Sequence, residues 1–232
     1  NELLQEKYLS DRMKSFTFER ASKSTDILPG TISWEESEET THYSIIDPMG
    51  NAIAVTTTLN GSYGSKVFVE KGGYFLNNEM DDFSSKPGFP NMFGLIGGKA
   101  NAISPKKRML SAMTPTIIEK NNKLYMIVGT PGGSTIITSV LQTILNVYEY
   151  DMEIQKAVAA PRFHHQWLPD IITFEPNEFQ NNLFDSLQKK GYNINEEYNR
   201  IIGRVDAIKV SDKGIISTGV DPRGDDEASL LY

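Results

Sequence analysis

The sequence predicts an α/β chain of the α+β kind, with antiparallel sheets layered against helices. Three observations predict it. Strand-like runs come in pairs joined by short turns, helical runs form blocks of their own, and no regular strand-helix-strand alternation links them. At 232 residues and 39% hydrophobic content, the chain can bury a core of ordinary size.

In chain order, Leu3, Leu4, Tyr8, Leu9 and Met13 recur at helical spacing, so the chain opens inside a helix and reads as a piece of something longer. Thr17 to Thr40 is polar, holds the turn dipeptide Pro29-Gly30 and the acidic run Glu35 to Glu39, and taken alone reads as an exposed connector. From Thr40 the residues alternate, with His42, Ser44 and Ile46 on one face and Tyr43 and Ile45 on the other. The turn Asp47 to Asn51 and a second run, Ala52 to Leu59, complete a hairpin. Gly61 to Thr114 is rich in Gly, Ser, Asn and Pro; the large apolar residues within Lys86 to Gly98 favour a packed lid over a linker. Thr116 to Glu119 and Leu124 to Gly129 pair across Asn121-Asn122. Gly132-Gly133-Ser134 then leads into a helix from Thr135 to Tyr150, with Ser134 as its cap and Ile137, Val140, Leu141, Ile144 and Leu145 on one face. Met152 to Ala160 and Glu178 to Lys190 read as helices; Ile171 to Phe174, Val205 to Val210 and Gly214 to Thr218 read as strands.

Composition excludes several functions. With no cysteine, the chain has no disulfide scaffold, Cys nucleophile or thiolate metal site. Its 30 acidic against 23 basic residues, with no basic run, argue against nucleic acid and anionic membrane as partners. No apolar stretch is long enough to span a bilayer.

A hydroxyl nucleophile needs a base beside it. One solution is the α-amine of the same residue, freed by cutting the preceding peptide bond; its pKa of about 7.7 to 8.0 suits a general base. The doublet Thr40-Thr41 fits this chemistry, although β-branched residues begin ordinary strands too. Glu79, Asp81 and Asp82 fit a solvated turn or a hard-cation site. Gly132-Gly133-Ser134 before a helix resembles a phosphate cradle but lacks the P-loop Lys. Adjacent His164 and His165 point opposite ways on an extended chain, which favours structural roles. Asn60-Gly61-Ser62 is a glycosylation sequon.

Read in order, Thr40-Thr-His-Tyr-Ser44, Thr56-Thr-Thr-Leu-Asn60, Leu76 to Phe83, Leu110-Ser111, Pro115-Thr116, Gly132-Gly133-Ser134, Pro161 to Pro169 and Asp221-Pro-Arg223 resemble γ-glutamyltransferase. The resemblance runs from Thr40 to Tyr232, the span of that family's small catalytic subunit, and makes residues 1–39 the tail of its large subunit and the pre-cleavage linker. It implies a precursor that cuts itself at Glu39-Thr40 and a four-layer αββα sandwich of the N-terminal nucleophile type, incomplete here. Thr40 would be the nucleophile, Thr58 its support, and the N–H groups of Gly132 and Gly133 the oxyanion hole. Asn60, Glu79 and Asp82 would hold the substrate's α-ammonium, and Ser111 its α-carboxylate. The resemblance implies no cofactor and no metal, a heterodimer with the large subunit, glutathione or a similar γ-glutamyl amide as substrate, and a periplasmic or cell-surface location. Ala112 stands where many members carry a second Ser, Phe93 where some carry a lid Tyr, and the family's carboxylate-binding Arg lies in the large subunit. Other readings are a cephalosporin or poly-γ-glutamate acylase of the same fold, or an uncut homologue that only binds amino acids.

Overall fold

The computed structural model describes residues 6–27, 40–91, 94–111, 113–176, 178–195 and 201–230. Leu3, Leu4, Pro29-Gly30, the Glu35 to Glu39 run, Phe93, Ala112 and Tyr232 lie outside the described residues.

After a short helix α1 (Glu6–Met13), the expected hairpin forms from β1 (Thr40–Ile46) and β2 (Ala52–Thr58). They pair antiparallel without a bulge, from Thr40 opposite Thr58 to Ile46 opposite Ala52. Two-residue strands β3 (Phe68–Val69) and β4 (Tyr74–Phe75) make a second small hairpin. Then β5 (Thr116–Lys120) and β6 (Lys123–Gly129) pair as the sequence predicts, turning through Asn121 and Asn122, both at positive φ, a conformation that Asn tolerates.

Helices α2 (Ile136–Tyr148) and α3 (Ile154–Ala159) follow, then β7 (Phe163–His164), β8 (Ile172–Phe174), α4 (Asn181–Lys189), β9 (Ile194–Asn195), β10 (Asp206–Val210) and β11 (Ile216–Gly219). The central sheet runs β11-β10-β6-β5, with every neighbouring pair antiparallel. Its alternate side chains divide the molecule. Met126, Val128 and Ala207 point to one face, where they pack with Val140, Val147, Ile154, Ala157 and Val158 beneath α2 and α3. The hairpin β1–β2 lies against the opposite face. Three layers are therefore stacked as helices, sheet and hairpin, while Tyr43, Ile45 and Ile53 on the hairpin's outer side are exposed. The smaller sheet β7-β8-β9 departs from the antiparallel expectation, because β8 and β9 are parallel.

Three sequence expectations need correction. Ser134 is not the cap of α2: it lies inside a 3-10 turn, Gly133–Thr135, where the Thr135 hydroxyl donates to the Gly132 carbonyl at 2.7 Å. The inward face of α2 is Ile136, Ser139, Val140, Thr143 and Val147, leaving Ile137 and Leu141 48% and 52% exposed. Small hydroxyl residues suit that inward face because Gly203 approaches Ser139 closely, and their oxygens donate to the Ile202 and Ser139 carbonyls. Nor is the connector wholly exposed, since Ser24 is only 2% accessible.

A buried ionic network ties the two sheets together. Arg162 pairs with Asp221 at 2.6 Å, and Arg223 bridges Asp221 at 3.1 Å and Glu175 at 2.6 Å. Arg162 also donates to the carbonyls of Val158, Ile202 and Gly203, so both terminal nitrogens have acceptors while its buried Nε has none among the described residues. Burial alone would raise the Asp221 carboxyl; Arg162 and the Val205 and Arg223 N–H groups hold it below the usual range.

Candidate active site

The hairpin turns its polar face inward. Thr40, His42 and Ser44 on β1 and Thr56 and Thr58 on β2 share that side, while Tyr43 and Ile45 look outward. His42 is hydrogen-bonded with Thr56 Oγ1 at 2.8 Å and Ser44 Oγ at 3.0 Å. Its ring fills the space over Gly129, where a Cβ would come within 2.2 Å of it. Burial lowers the His42 pKa to about 4, so the ring is uncharged at neutral pH.

That packing fixes where Thr40 sits. Thr40 lies two residues from His42 on the same face, roughly 6 to 7 Å along the strand. Gly132 lies three residues beyond Gly129. The N-terminal end of β1 and the C-terminal end of β6 therefore lie at the same end of the stacked sheets. Gly132 has φ +135° and Gly133 φ +56°, backbone that glycine adopts without strain. Beside Thr40 a pocket of about 300 Å³ opens, walled by Thr40, Thr41, Thr57, Thr58, Leu59, Gly61, Ser62 and Tyr63; Gly132 and Gly133 are not in its wall.

Asn60 lies beneath this pocket with no exposed surface. Its backbone N–H donates to Thr58 Oγ1 at 2.9 Å, and its side-chain amide donates to the Asn78 carbonyl at 3.2 Å. Asn78 Oδ1 in turn accepts from the Gly61 N–H at 2.8 Å. These bonds join the end of β2 to the 3-10 turn Glu79–Asp82, so Asn60 and Glu79 are brought close in space. Burial raises the Glu79 carboxyl above its usual range. A glycan on the Asn60 sequon would have no room in this fold.

Asp82 is buried and lines a separate pocket of about 100 Å³ with Phe83, Phe89, Leu95 and Asn101. Ser111 is exposed, one residue after Leu110. The buried Asn101 links the two, a role that the sequence did not signal. Its amide donates to the Asp82 carbonyl at 2.5 Å, and its Oδ1 accepts from the Leu110 N–H at 3.1 Å. Losing both bonds in Asn101→Ala should lower stability by about 2–3 kcal/mol, because two backbone groups lose their partner in a buried place. Urea unfolding checks this; an unchanged midpoint counts against the linkage.

A second residue missed by the sequence reading is Asp206, paired in register with Gly129 on the hairpin side of β10. Burial, then the nearby Asp226 and Asp221, raise its pKa to about 7. Between about pH 4 and 7 the folded protein thus holds a proton that the unfolded chain has released, and ionising Asp206 costs stability as pH rises. The neutral His42 acts oppositely over about pH 4 to 6.5. Asp206→Asn should leave the stability difference from wild type constant below pH 4, then raise it by about 1–2 kcal/mol by pH 8, allowing for partial exposure. Urea unfolding across pH checks this; a difference that stays flat would contradict it.

His164 is hydrogen-bonded with Thr138 and Gln166, and His165 with Asp170, so the adjacent histidines serve separate contacts. Among the described residues no group of three or more His, Asp or Glu is placed to hold a metal ion, and no helix is long and apolar enough to cross a membrane.

Set against known proteins, residues 1–231 match the family model described as Gamma-glutamyltranspeptidase. The chain belongs to the γ-glutamyltranspeptidase family. A glutathione hydrolase proenzyme of Escherichia coli is 44% identical over 213 residues, covering 92% of this chain and 36% of that protein. The chain thus spans about a third of that relative's length. A solved Helicobacter pylori γ-glutamyltranspeptidase T380A mutant is 52% identical with a TM-score of 0.75, and 79% of this chain covers all of that one. A cephalosporin acylase from Bacillus halodurans superposes on the whole chain with a TM-score of 0.82, covering 39% of that chain; at 22% identity this is a likeness of fold alone. The expected N-terminal nucleophile fold is the fold of these γ-glutamyltranspeptidase structures.

Proposed function

We propose that this chain is the C-terminal part of a γ-glutamyltransferase precursor, with residues 1–39 the tail of the large subunit and the linker, and residues 40–232 the small catalytic subunit. One observation carries the reading: Thr40 opens β1 at a pocket of about 300 Å³ that it shares with Thr58. The Helicobacter pylori chain that about four-fifths of this chain covers from end to end supports the division.

In this reading the precursor cuts itself at Glu39-Thr40 and frees the Thr40 amine. That amine takes the hydroxyl proton as Oγ attacks the γ-amide carbonyl of glutathione or a related amide. The oxyanion forms toward the Gly132 and Gly133 N–H groups; the C–N bond breaks, the leaving amine receives the proton, and a γ-glutamyl ester remains on Thr40. Water, an amino acid or a peptide then takes the acyl group. Asn60, Glu79 and Asp82 hold the α-ammonium, and Ser111 with an Arg of the large subunit holds the α-carboxylate. Nucleophile, base and oxyanion donors are all protein groups, so the reaction uses no cofactor. We place the mature heterodimer in the periplasm or at the cell surface, as in the family.

The test is the N-terminal residue of the small chain in the matured full-length protein, read alongside hydrolysis of γ-glutamyl-p-nitroanilide. A chain beginning at Thr40 with turnover is the expected result. An uncut protein, or one cut elsewhere, would overturn the reading.

A further inference from the structure

The segment before the proposed cut is held at one place in the described structure. The Ser24 N–H donates to Asp170 Oδ2 at 2.8 Å, and Trp167 Nε1 donates to the Ser24 carbonyl at 2.7 Å. The Ala21 N–H donates to the Lys190 carbonyl at 2.6 Å, and Lys190 Nζ donates to the Phe18 carbonyl at 2.8 Å. At residues 18 and 21 the segment contributes only main-chain atoms; at the buried Ser24 the hydroxyl joins the backbone N–H in bonding Asp170. Phe18 is among the most exposed large apolar side chains of the described residues.

The receiving side is built in advance. Asp170 Oδ1 is hydrogen-bonded with His165 Nε2 at 3.1 Å, and the Asp170 carbonyl accepts from Asn193 Nδ2 at 3.0 Å, which leaves Oδ2 aimed at the segment. Trp167 has φ +71°, strained for a bulky side chain, and in that conformation its indole N–H meets the Ser24 carbonyl. None of these bonds involves residues near Glu39. The 15 residues from Ser24 to Glu39 can span up to roughly 50 Å, so bonds at Ser24 do not fix the position of the cut within that reach.

We propose that Trp167, Asp170 and Lys190 form a clamp for the peptide main chain entering the 3-10 turn at Ser24–Asp26, and that it retains the large-subunit tail after the Glu39-Thr40 bond is cut. This rests on the self-cleavage reading above. The partner is recognised chiefly by its backbone N–H and C=O groups, with the small buried hydroxyl of Ser24 as the one side-chain contact to Asp170.

Hydrogen–deuterium exchange on the full-length protein tests the clamp, read on peptides carrying the Ala21 and Ser24 amides. The samples are uncut Thr40→Ala, matured wild type, and matured Trp167→Phe and Asp170→Ala. The amides should exchange slowly, and equally, before and after cleavage. Trp167→Phe, which removes one N–H and keeps an aromatic ring, should speed Ser24 exchange about fivefold, and Asp170→Ala about tenfold or more. Fast exchange in the matured wild type would mean that the tail leaves on cleavage, and would overturn the proposal. Slow exchange that neither variant alters overturns it as well; if Asp170→Ala does not fold, Trp167→Phe decides. Intact mass is read first. A wild type that stays uncut is a failure of the cleavage reading, and the variants then judge the clamp on the single chain.

Discussion

Thr40→Ala in the full-length precursor should yield one uncut chain with kcat for γ-glutamyl-p-nitroanilide lower by roughly 10⁴-fold or more. One hydroxyl is being asked to do two things, attack its own preceding carbonyl during maturation and attack the substrate afterwards, so both should disappear together. Thr40 is only half-buried at the end of β1, so the protein should still fold and its Tm should change little. Thr40→Ser keeps the oxygen and loses a methyl group, and should mature and turn over at a reduced rate. Intact mass, N-terminal sequencing and a burst of p-nitroaniline separate the two events. A Thr40→Ala protein that still matures and still hydrolyses the substrate would remove the nucleophile from the mechanism.

Gly132→Ala should lower kcat by about 10²- to 10³-fold, the loss seen when an oxyanion donor is displaced, with a smaller change in KM. A Cβ at Gly132 would lie 2.6 Å from Thr135 Oγ1 and 3.1 Å from Gly203 Cα, and φ +135° is unsuitable for alanine. The loop must therefore shift, and the hydroxyl bond from Thr135 to the Gly132 carbonyl shifts with it. Gly50→Ala is the matched control. Gly50 also has positive φ, at +86°, but nothing lies within 4 Å of its added Cβ and it occupies the far end of the hairpin. It should lose some stability and keep its kcat. Equal kcat losses at the two glycines would mean that backbone strain, not the oxyanion loop, is being measured.

The residues that were legible in the sequence are those whose environment is local. The hairpin announced itself by alternation and a Pro/Gly/Asn turn, and the β5–β6 pair by its Asn-Asn turn. Thr40, Thr58, Gly132 and Gly133 were named from motif order alone. The stripe read on α2 is half right: Val140 and Ile144 pack into the core, but periodicity does not say what covers the rest, and Ile137 and Leu141 are exposed while Ser139 and Thr143 are buried. Asn101 and Asp206 carried no signal, since each gains its role from partners brought in by folding. Arg162, Glu175, Asp221 and Arg223 lie up to about 60 residues apart along the chain and meet only once the two sheets dock.

Asp47 stands at the opposite end of β1 from Thr40, about 23 Å away at strand rise, yet it governs which way that hydroxyl points. The strand has two competing frames. A slip of one residue would turn Tyr43 and Ile45 inward, the set that burial alone would choose, and carry Thr40 and His42 to the outside. Against that pull, the Asp47 carboxylate accepts from the Met49 and Asn51 N–H groups and from Asn51 Nδ2, which closes the turn at a set number of residues. The orientation of the proposed nucleophile is thus a matter of counting. One residue inserted into or deleted from a solvent-facing turn would act as a frameshift in space, more damaging than most substitutions along the strand itself.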